Sequence, residues 1–456
     1  MRLKFIGGVR ELSHQAVDEG TKKQQEKYMN KNIKLAVAGA VLALSTTAAQ
    51  AGIVIPAGEW TLDVNGNVNA FYIMNDSKDN NTIKGGLANQ TNSTSGDQAA
   101  SINTGLLPSW LGVTGKSRQN DLDTEFTISF QPGASSKTSL GNGGTSEFRQ
   151  AYFSFGDKSW GTVLIGKNLG QFGRDAILND QTLLGVGSQG LVGTAGGSTT
   201  TLGRIGTGFM YADFNGQINY TTPNMGGLEV VLGVDQPLST NNQGNTAEVV
   251  ASSNPAVAAN AVYSVTTAAE TLSKNASGSQ KNPAFVGVAR YSFTANELSG
   301  KLWVEGKSQK IYGTGGFSGN SQMAALGATL SAGPFGAVGY YYKGEGAGTT
   351  AFLMDGYSAA GGKRDSDGGY IQLSYVLPMK TKLAASWGRS NLDKANAESA
   401  SNLVKSNEMQ TIGLYHPLTK HLNLVGEYSR VESENHAATA RENKTDIISL
   451  GGILFF

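Results

Sequence analysis

The feature that most constrains this chain is an alternation of apolar and polar side chains with a period of two residues. In its first occurrence, residues 60–72, the even positions are apolar or small and the odd positions are polar, with only Phe71 out of step. Successive side chains of a β-strand point to opposite sides, so this period is typical of a strand with one apolar and one solvated face. A soluble sandwich also contains such strands, and their number and connections decide between the two architectures.

The alternation recurs along the rest of the chain and predicts about 16 strands, an even number typical of single-chain outer-membrane barrels. The later segments are 109–116, 122–131, 147–155, 160–167, 216–222, 228–235, 285–293, 298–307, 325–332, 335–342, 370–377, 382–389, 408–415, 422–430 and 446–456.

The connections between these segments alternate in length. Short and long connections follow each other in turn along the chain. The tight turns are at 223–226, 295–297, 333–334, 378–380 and 417–420, and the long polar segments are at 75–103, 168–207, 236–281, 312–322, 343–368, 390–407 and 431–445. Short turns at one end and longer loops at the other are typical of a transmembrane β-barrel, whereas a sandwich has no reason to sort its loops by length. The expected fold is all-β, a 16-stranded antiparallel transmembrane β-barrel that contacts outer-membrane lipid.

Residues 29–51 have the pattern of a secretory signal peptide, with Lys31 and Lys34 before an apolar run and small residues at its end. Cleavage is expected between Ala51 and Gly52. As a membrane-spanning helix the segment would be short, since about 20 apolar residues are needed. Residues 1–28 precede a complete signal peptide and are expected to be a mis-assigned or dispensable prefix, which leaves 52–456 as the barrel.

Charge and cysteine content exclude several other classes of protein. Beyond residue 51 the chain has 28 Lys and Arg against 31 Asp and Glu, a balance that gives no electrostatic footprint for nucleic acid. The chain has no cysteine, so an exported form cannot depend on disulfides. The segment Asp365-Ser366-Asp367-Gly368 resembles the start of a calcium loop, but the rest of the loop is missing. We therefore expect no metal or other cofactor.

The segment 148–180 reads as strand, short turn, strand and then a Gly-rich excursion that regains a strand pattern only near Phe209. A connection of about 40 residues far exceeds the two to five of a hairpin, so it is either disordered or functional. In a wide barrel such a loop is useful when it folds into the lumen.

Several of these segments resemble the general diffusion porins of Gram-negative outer membranes. The resemblance rests on the opening strand, on Arg149-Gln150-Ala151-Tyr152-Phe153 followed by 159–168 and 174–177, on 218–228, and on the C-terminal Phe456. It implies a homotrimer of 16-stranded barrels, each with an inward-folded third loop as the constriction. It also implies a water-filled channel for passive diffusion of ions and small hydrophilic solutes, and a C-terminal strand ending in Phe456 that serves as the signal for the barrel-assembly machinery.

Alternation also predicts which side chains face the lumen. If Leu111 and Val113 face lipid, then Trp110, Lys116 and Arg118 face inward. In the same way, Phe148, Gln150 and Tyr152 outward would put Arg149 and Ala151 inward, although Gln150 and Phe153 fit that alternation poorly. The inward Lys301, Glu305 and Lys307 are typical of a solvated lumen face.

The resemblance places Arg149 where wall arginines of the family face acidic loop residues across the constriction, and opposed charges create a transverse field. Asp175 and Asp180 are the candidate acids, with Lys167 and Arg174 beside them. Two alternatives stay open: Arg149 as a structural ion-pair partner and Asp175 as the cap of a turn.

Three departures from the family pattern indicate a weaker field. Trp110 and Thr221 stand where basic residues are usual, and the Gly/Ser/Thr-rich segment 185–203 replaces the acidic motif of the loop tip. We therefore expect a constriction lined more by hydroxyls and backbone than by charge. A substrate-specific channel for a sugar or a small organic anion is the alternative function.

Two other classes of function are less consistent with the chain. An outer-membrane lipase needs a Ser-His dyad in the barrel wall, but His416 and His421 flank a short turn and His436 lies in a loop. A secreted β-solenoid needs a short fixed repeat, and the sequence has none. We therefore expect a channel and not an enzyme.

Overall fold

The computed structural model describes residues 52–88, 97–134, 147–189, 200–239, 280–313, 316–399 and 402–456. The expected prefix 1–28 and signal peptide 29–51 lie outside these ranges, so those two interpretations stay predictions. No helix in the described part of the chain combines the length and apolar character needed to cross a membrane.

The described residues form eighteen strand segments, one short α-helix and one 3-10 helix. The segments are β1 Ile53–Ala57, β2 Trp60–Ser77, β3 Gln98–Asn103, β4 Trp110–Gln119, β5 Leu122–Gln131, β6 Glu147–Asp157, β7 Gly161–Leu169, β8 Phe214–Thr221, β9 Leu228–Asp235, β10 Ala284–Ala295, β11 Leu298–Tyr312, β12 Ser318–Ala332, β13 Phe335–Glu345, β14 Asp365–Val376, β15 Lys382–Leu392, β16 Val404–Pro417, β17 Leu422–Asn435 and β18 Glu442–Phe455. Helix α1 is Arg174–Asn179, and the 3-10 helix is Gln181–Leu184.

These segments close into one antiparallel barrel. From β4 to β18 each strand pairs with the next, and β18 pairs with β2. Segments β3 and β4 lie one after the other along the same edge of β2 and act as a single wall strand. Segment β1 only folds back on the start of β2. The wall therefore has sixteen strands, which confirms the predicted fold class.

Alternation sorts the side chains as predicted. On β18, Ile448, Leu450 and Leu454 are exposed on the outer surface, while Ser449 and Ile453 are buried inside. The apolar outer face meets lipid, and the closed ladder leaves no strand edge unpaired in a medium that offers no hydrogen bonds. The apolar core therefore lies inside the barrel, where loop residues such as Phe172 and Phe209 pack against wall aromatics such as Trp303.

Strand ends were predicted less well than strand centres. Segment 75–103 was expected to be a loop, but β2 continues to Ser77 and β3 occupies Gln98–Asn103. Several other strands also extend further towards the long loops than expected. Strand ends that stand beyond the hydrocarbon meet water on both faces, so their sequence loses the alternation by which a strand is recognised.

A β-bulge in β6 corrects the predicted facing of four residues. Ser129 pairs with Gln150, but Gln131 pairs with Glu147, so β6 has one residue more than β5 at this point. Beyond the bulge Gln150 and Tyr152 face the lumen, and Ala151 and Phe153 face outward, the reverse of the expectation. A bulge shifts the phase of alternation by one residue. This explains why Gln150 and Phe153 fitted the alternation poorly.

The two ends of the barrel chain meet at the seam between β18 and β2. The amide of Gly66 donates to the Phe456 carbonyl at 2.8 Å, and the Phe456 amide donates to the Gly66 carbonyl at 3.0 Å. A Cβ on Gly66 would lie 2.2 Å from the Trp110 carbonyl oxygen and 2.8 Å from the Phe456 ring. Only glycine at position 66 leaves room for the last residue.

Substitution Gly66→Val is expected to destabilise the barrel by about 1–3 kcal/mol, because the new side chain forces the seam apart. The matched control is Gly339→Val, since a Cβ on Gly339 has nothing within 4 Å. That variant should stay within about 0.5 kcal/mol of wild type. The measurement is urea unfolding in phospholipid vesicles, followed by tryptophan fluorescence. Equal losses in the two variants would contradict the role of Gly66.

Candidate pore constriction

The connection from β7 to β8, residues 170–213, folds into the lumen and is called L3 below. Its described parts, 170–189 and 200–213, cross the barrel and dock on the wall from β10 to β17. The Tyr370 hydroxyl of β14 donates to the Ala176 carbonyl at 2.8 Å, and the Gln181 amide donates to Gln372 Oε1 at 2.7 Å. The long connection is therefore an inward loop, as the sequence predicted.

Asp175 attaches the start of L3 to two cations of the far wall. Its Oδ2 lies 2.6 Å from Arg290 Nε of β10, and its Oδ1 lies 2.5 Å from Lys301 Nζ of β11. Burial acts to raise the pKa of the Asp175 carboxyl, but Arg290 and Lys301 outweigh it and the pKa is lowered. Asp175 is thus a loop anchor whose charge is balanced away from the open part of the lumen.

Asp180 is equally enclosed. Its Oδ1 lies 3.6 Å from Nε of Arg204, and both side chains are fully buried. It also caps the 3-10 helix by accepting from the Thr182 amide at 3.2 Å. Arg204 donates to the Met409 carbonyl at 2.9 Å and lies over the Tyr370 ring. Burial raises the pKa of Asp180, while Arg204 opposes that shift.

Two wall glutamates hold backbone amides of L3. Glu305 accepts from the Gly173 amide at 3.2 Å, and Glu427 accepts from the amides of Val186 and Gly187 at 2.7 and 3.0 Å. A tyrosine hydroxyl donates to each glutamate, Tyr340 at 2.9 Å and Tyr415 at 2.6 Å, respectively. The expected solvated face of β11 is therefore wrong, because Glu305 and Lys307 are buried and Lys307 pairs with Asp235 at 2.7 Å.

The part of the lumen that L3 leaves open is a cavity of about 610 Å³ between L3 and the wall from β4 to β7. It is called the eyelet cavity below. Its lining is largely apolar, with three cationic side chains, Arg149, Lys167 and Arg174, two acidic ones, Glu147 and Asp213, and a few hydrogen-bonding groups. The lining residues are Leu106, Leu107, Pro108, Trp110, Gln131, Glu147, Phe148, Arg149, Gln150, Tyr152, Lys167, Asn168, Leu169, Arg174, Ile177, Leu178, Leu183, Thr200, Thr201, Leu202, Ile205, Tyr211, Asp213 and Phe214.

Arg149 joins the wall to L3 at the edge of this cavity. Its Nε donates to Glu147 at 2.8 Å, and its other nitrogens reach the hydroxyls of Tyr211 and Thr200 at 3.5 and 3.4 Å. The guanidinium also lies 5.5 Å from the Phe214 ring centroid. The structure therefore favours the alternative interpretation of Arg149 as an ion-pair partner, although it borders the open lumen.

Arg174 differs from the other charged groups of L3. It is half-buried at the cavity surface, and among the residues that the structure describes no acidic side chain or hydrogen-bond acceptor pairs with it. Loss of hydration lowers the pKa of its guanidinium, and the nearby Arg290 acts in the same direction. An arginine remains charged through such a shift. Arg174 is therefore a positive charge turned towards the open path.

Two other predicted constriction residues lie elsewhere. Lys116 and Arg118 face a second cavity of about 840 Å³ beside the short turns, where Lys116 lies 3.4 Å from Glu125 and Arg118 lies 2.8 Å from Asp123. Their assignment to the constriction is corrected accordingly.

Lys167 borders the eyelet cavity. It pairs in register with the outward Ala151, and its exposed ammonium donates to the Phe148 carbonyl at 2.8 Å.

Trp110 faces the lumen as predicted and forms part of the eyelet wall. Its indole nitrogen donates to Asn65 at 3.3 Å, and its ring contacts Phe455 edge to face. Of the predicted hydroxyl-rich segment 185–203, residues 190–199 lie outside the described part of the chain.

Comparison with known proteins agrees with this architecture. A family model described as Gram-negative porin matches residues 36–436, most of the chain. The chain belongs to the Gram-negative porin family. It forms an outer-membrane channel for diffusion, and this family and fold indicate a channel rather than an enzyme.

Solved structures share the fold of this porin at low sequence identity. The outer membrane channel DcaP of Acinetobacter baumannii has a TM-score of 0.61 and 15% identity, and the match covers 89% of this chain and 100% of that one. The anion-selective porin from Comamonas acidovorans has a TM-score of 0.54 and 16% identity, covering 87% and 100%. OmpF of Salmonella typhi in complex with daunomycin has a TM-score of 0.52 and 12% identity, covering 89% and 100%. No curated protein matches the sequence significantly.

Substitution Glu427→Ala is expected to loosen L3 in this porin. It leaves the Val186 and Gly187 amides and the Tyr415 hydroxyl without their acceptor, at a cost of about 1–3 kcal/mol for each unsatisfied group. The loop should then fluctuate, and single-channel recordings should show more open-state current noise and brief closures.

Glu432→Ala is the matched control for that experiment. It removes a carboxylate from the outward face of the same strand, where the nearest cation, Lys444, is 3.9 Å away. Wild-type noise is expected in this variant. If the open-state current noise of Glu427→Ala equals that of Glu432→Ala, the carboxylate of Glu427 does not hold the loop.

Proposed function

We propose that ions and small hydrophilic solutes cross this porin through the eyelet cavity. The observation that carries the proposal is the uneven docking of L3. The loop packs on the wall from β10 to β17, and towards β4–β7 it leaves a cavity that only a few contacts, such as those of Arg149, bridge. The second cavity at the short turns then serves as the periplasmic vestibule of the same path.

The eyelet has a weak transverse field and a mild preference for anions. The loop acid Asp175 is paired with the partly buried Arg290 and Lys301, and Asp180 lies beside the buried Arg204, so neither acid opposes the wall across the aperture. Arg149 is paired with Glu147. Lys167 is exposed, and its ammonium donates to the Phe148 carbonyl. Arg174 is then the principal charge that a permeating ion meets between L3 and the wall, and a fixed charge in a narrow path concentrates ions of the opposite sign.

Removal of Arg174 tests this assignment. Arg174→Ala should move the reversal potential in a KCl gradient towards the value for a more cation-preferring channel, because the anion-attracting charge is gone. The control is Arg430→Ala, since Arg430 pairs with Asp446 on the outer face of the barrel at 2.7 Å. An unchanged reversal potential in Arg174→Ala, equal to that of Arg430→Ala, would remove Arg174 from the path.

A substrate-specific channel is the second candidate, favoured by the narrowing of the lumen. The loop between β13 and β14 also turns inward, and its residues Leu353 and Tyr357 are buried. It contacts L3 where the Tyr211 amide donates to the Thr350 carbonyl at 2.9 Å. Because the two loops are hydrogen-bonded to each other, the narrow part of the lumen keeps a constant shape. A lumen of constant shape favours selection among solutes by size and form.

We also propose that the porin assembles as a homotrimer through the outer face of β5–β9. Strands β8 and β9 have only eight residues each, whereas β11 and β12 have fifteen. A strand needs about 9–11 residues to span the hydrocarbon. The outer face of β5–β9, where the strands are short, still exposes large apolar side chains, namely Ile128, Phe130, Phe148, Phe153, Ile218 and Leu232. Contact with neighbouring copies would cover both the short strands and these side chains.

Lipid-borne quenchers distinguish this surface from the lipid-facing wall. The chain has no cysteine, so the single variants Phe153→Cys and Leu373→Cys can be labelled cleanly with a fluorophore. In vesicles that contain brominated lipid, the label at 373 on β14 should be quenched and the label at 153 protected. Equal quenching at both positions, together with a monomer mass by native mass spectrometry, would contradict the trimer.

Export and assembly are proposed from the two ends of the chain. Residues 29–51 would direct export with cleavage after Ala51, and the strand ending in Phe456 would be the part that the assembly machinery recognises. The place of Phe456 at the seam with Gly66 supports the second proposal.

A further inference from the structure

The eyelet cavity combines an unpaired guanidinium with an apolar wall, which is an unusual lining for a path that passes only hydrated ions. Its volume of about 610 Å³ lies within the range of sites that enclose small organic ligands. We infer that the eyelet contains a binding site for small organic carboxylates with an apolar body. This inference rests on the proposed path through the eyelet and names the solute class for which the path is built.

The charged end of the site is Arg174. An arginine near apolar surface loses part of its hydration, and a carboxylate is the partner that restores its hydrogen bonds, because the two planar groups match in a bidentate geometry. Inside the protein, the acids nearest to Arg174 are already engaged. Asp175 binds Arg290 and Lys301, and Glu229 binds Arg290 at 3.2 Å. An incoming carboxylate therefore meets no internal competitor among the described residues.

The apolar end of the site has two walls. Leu107 and Trp110 lie on the barrel side, and Leu178, Leu183 and Leu202 lie on the L3 side. Each of these side chains is only partly buried and so offers free apolar surface to a solute. Covering such surface with a ring or a short alkyl chain is favourable by about 25 cal/mol per Å². A hydrated chloride ion gains nothing from these walls.

The site is preformed because L3 cannot easily move away. Glu305, Glu427 and the Asp180–Arg204 pair hold the loop along its described length, so the two walls keep their separation without a ligand. A rigid site loses little conformational entropy on binding. Binding that is weak and reversible slows each carboxylate briefly and enriches it in the path, which is compatible with transport.

Benzoate is a suitable probe because it carries both a carboxylate and an apolar ring. Acetate is the control that has the carboxylate without the ring, and benzamide is the control that has the ring without the charge. Single channels of the purified porin are recorded in 0.1 M KCl while each compound is added. Benzoate should reduce the current in resolvable blocking events at millimolar concentration. Acetate and benzamide should need at least about tenfold more for half-block, which corresponds to about 1.4 kcal/mol.

Arg174→Gln should raise the half-blocking concentration of benzoate about tenfold. The matched control is Arg430→Gln, which removes the same charge from the outer face of the barrel, where Arg430 pairs with Asp446, and should leave the block unchanged. Regular conductance steps in KCl show that each variant has folded and inserted. Equal block by acetate and benzoate would overturn the apolar part of the site, and equal block of Arg174→Gln and wild type would overturn its charged part.

The outcomes also separate this inference from the proposed function. KCl conductance without any block by benzoate overturns the binding site and leaves the channel in place. An absence of KCl conductance in the wild type overturns the proposed channel and the site with it.

Discussion

The rest of this structure depends on the need of every backbone amide and carbonyl in a hydrocarbon layer to find a partner within the protein. A sheet meets that need only if it has no free edge, so β18 must return to β2 and the chain ends must meet at Gly66 and Phe456. Closure then dictates the two faces of the wall. The outer face is apolar because it meets lipid, and the inner face becomes the surface on which loops and solutes are held.

Inside the barrel, charge has a different role from the one that the family pattern suggested. Ion pairs in a partly dehydrated lumen are stable only with good geometry and further hydrogen bonds. Asp175 meets that condition with Arg290 and Lys301, and Glu305 and Glu427 meet it with backbone amides and tyrosine hydroxyls. Asp180 lies 3.6 Å from Arg204 and accepts hydrogen bonds from the amide and the hydroxyl of Thr182. Acids that hold the loop cannot also polarise the aperture. The cavity that remains has a largely apolar lining, and Arg174 borders it without an acidic partner among the described residues, so the manner of attaching L3 determines what the cavity offers to a solute.

The fold could be predicted because each of the sixteen wall strands shows a local signal, the alternation of apolar and polar side chains. Each outward residue must be apolar and each inward residue can be polar, and this requirement repeats in every strand. The strand ends of β2 and β14 were missed because water meets both faces there and the pattern disappears. The facing of Gln150 and Tyr152 was missed because a single extra residue at the bulge shifts the phase, and nothing in the local sequence marks its position.

The sequence by itself determined that this chain crosses a membrane as a closed barrel, with its long loops at one end and one of them folded inward. These properties follow from local alternation and from loop length. Only the tertiary structure decided the partner of each charge, because Asp175 with Arg290 and Val186 with Glu427 are brought together from more than one hundred residues apart. No local pattern records such distant pairings. The same reason left Arg174 at the surface of the eyelet cavity without an acidic partner, while the expected acids are engaged elsewhere.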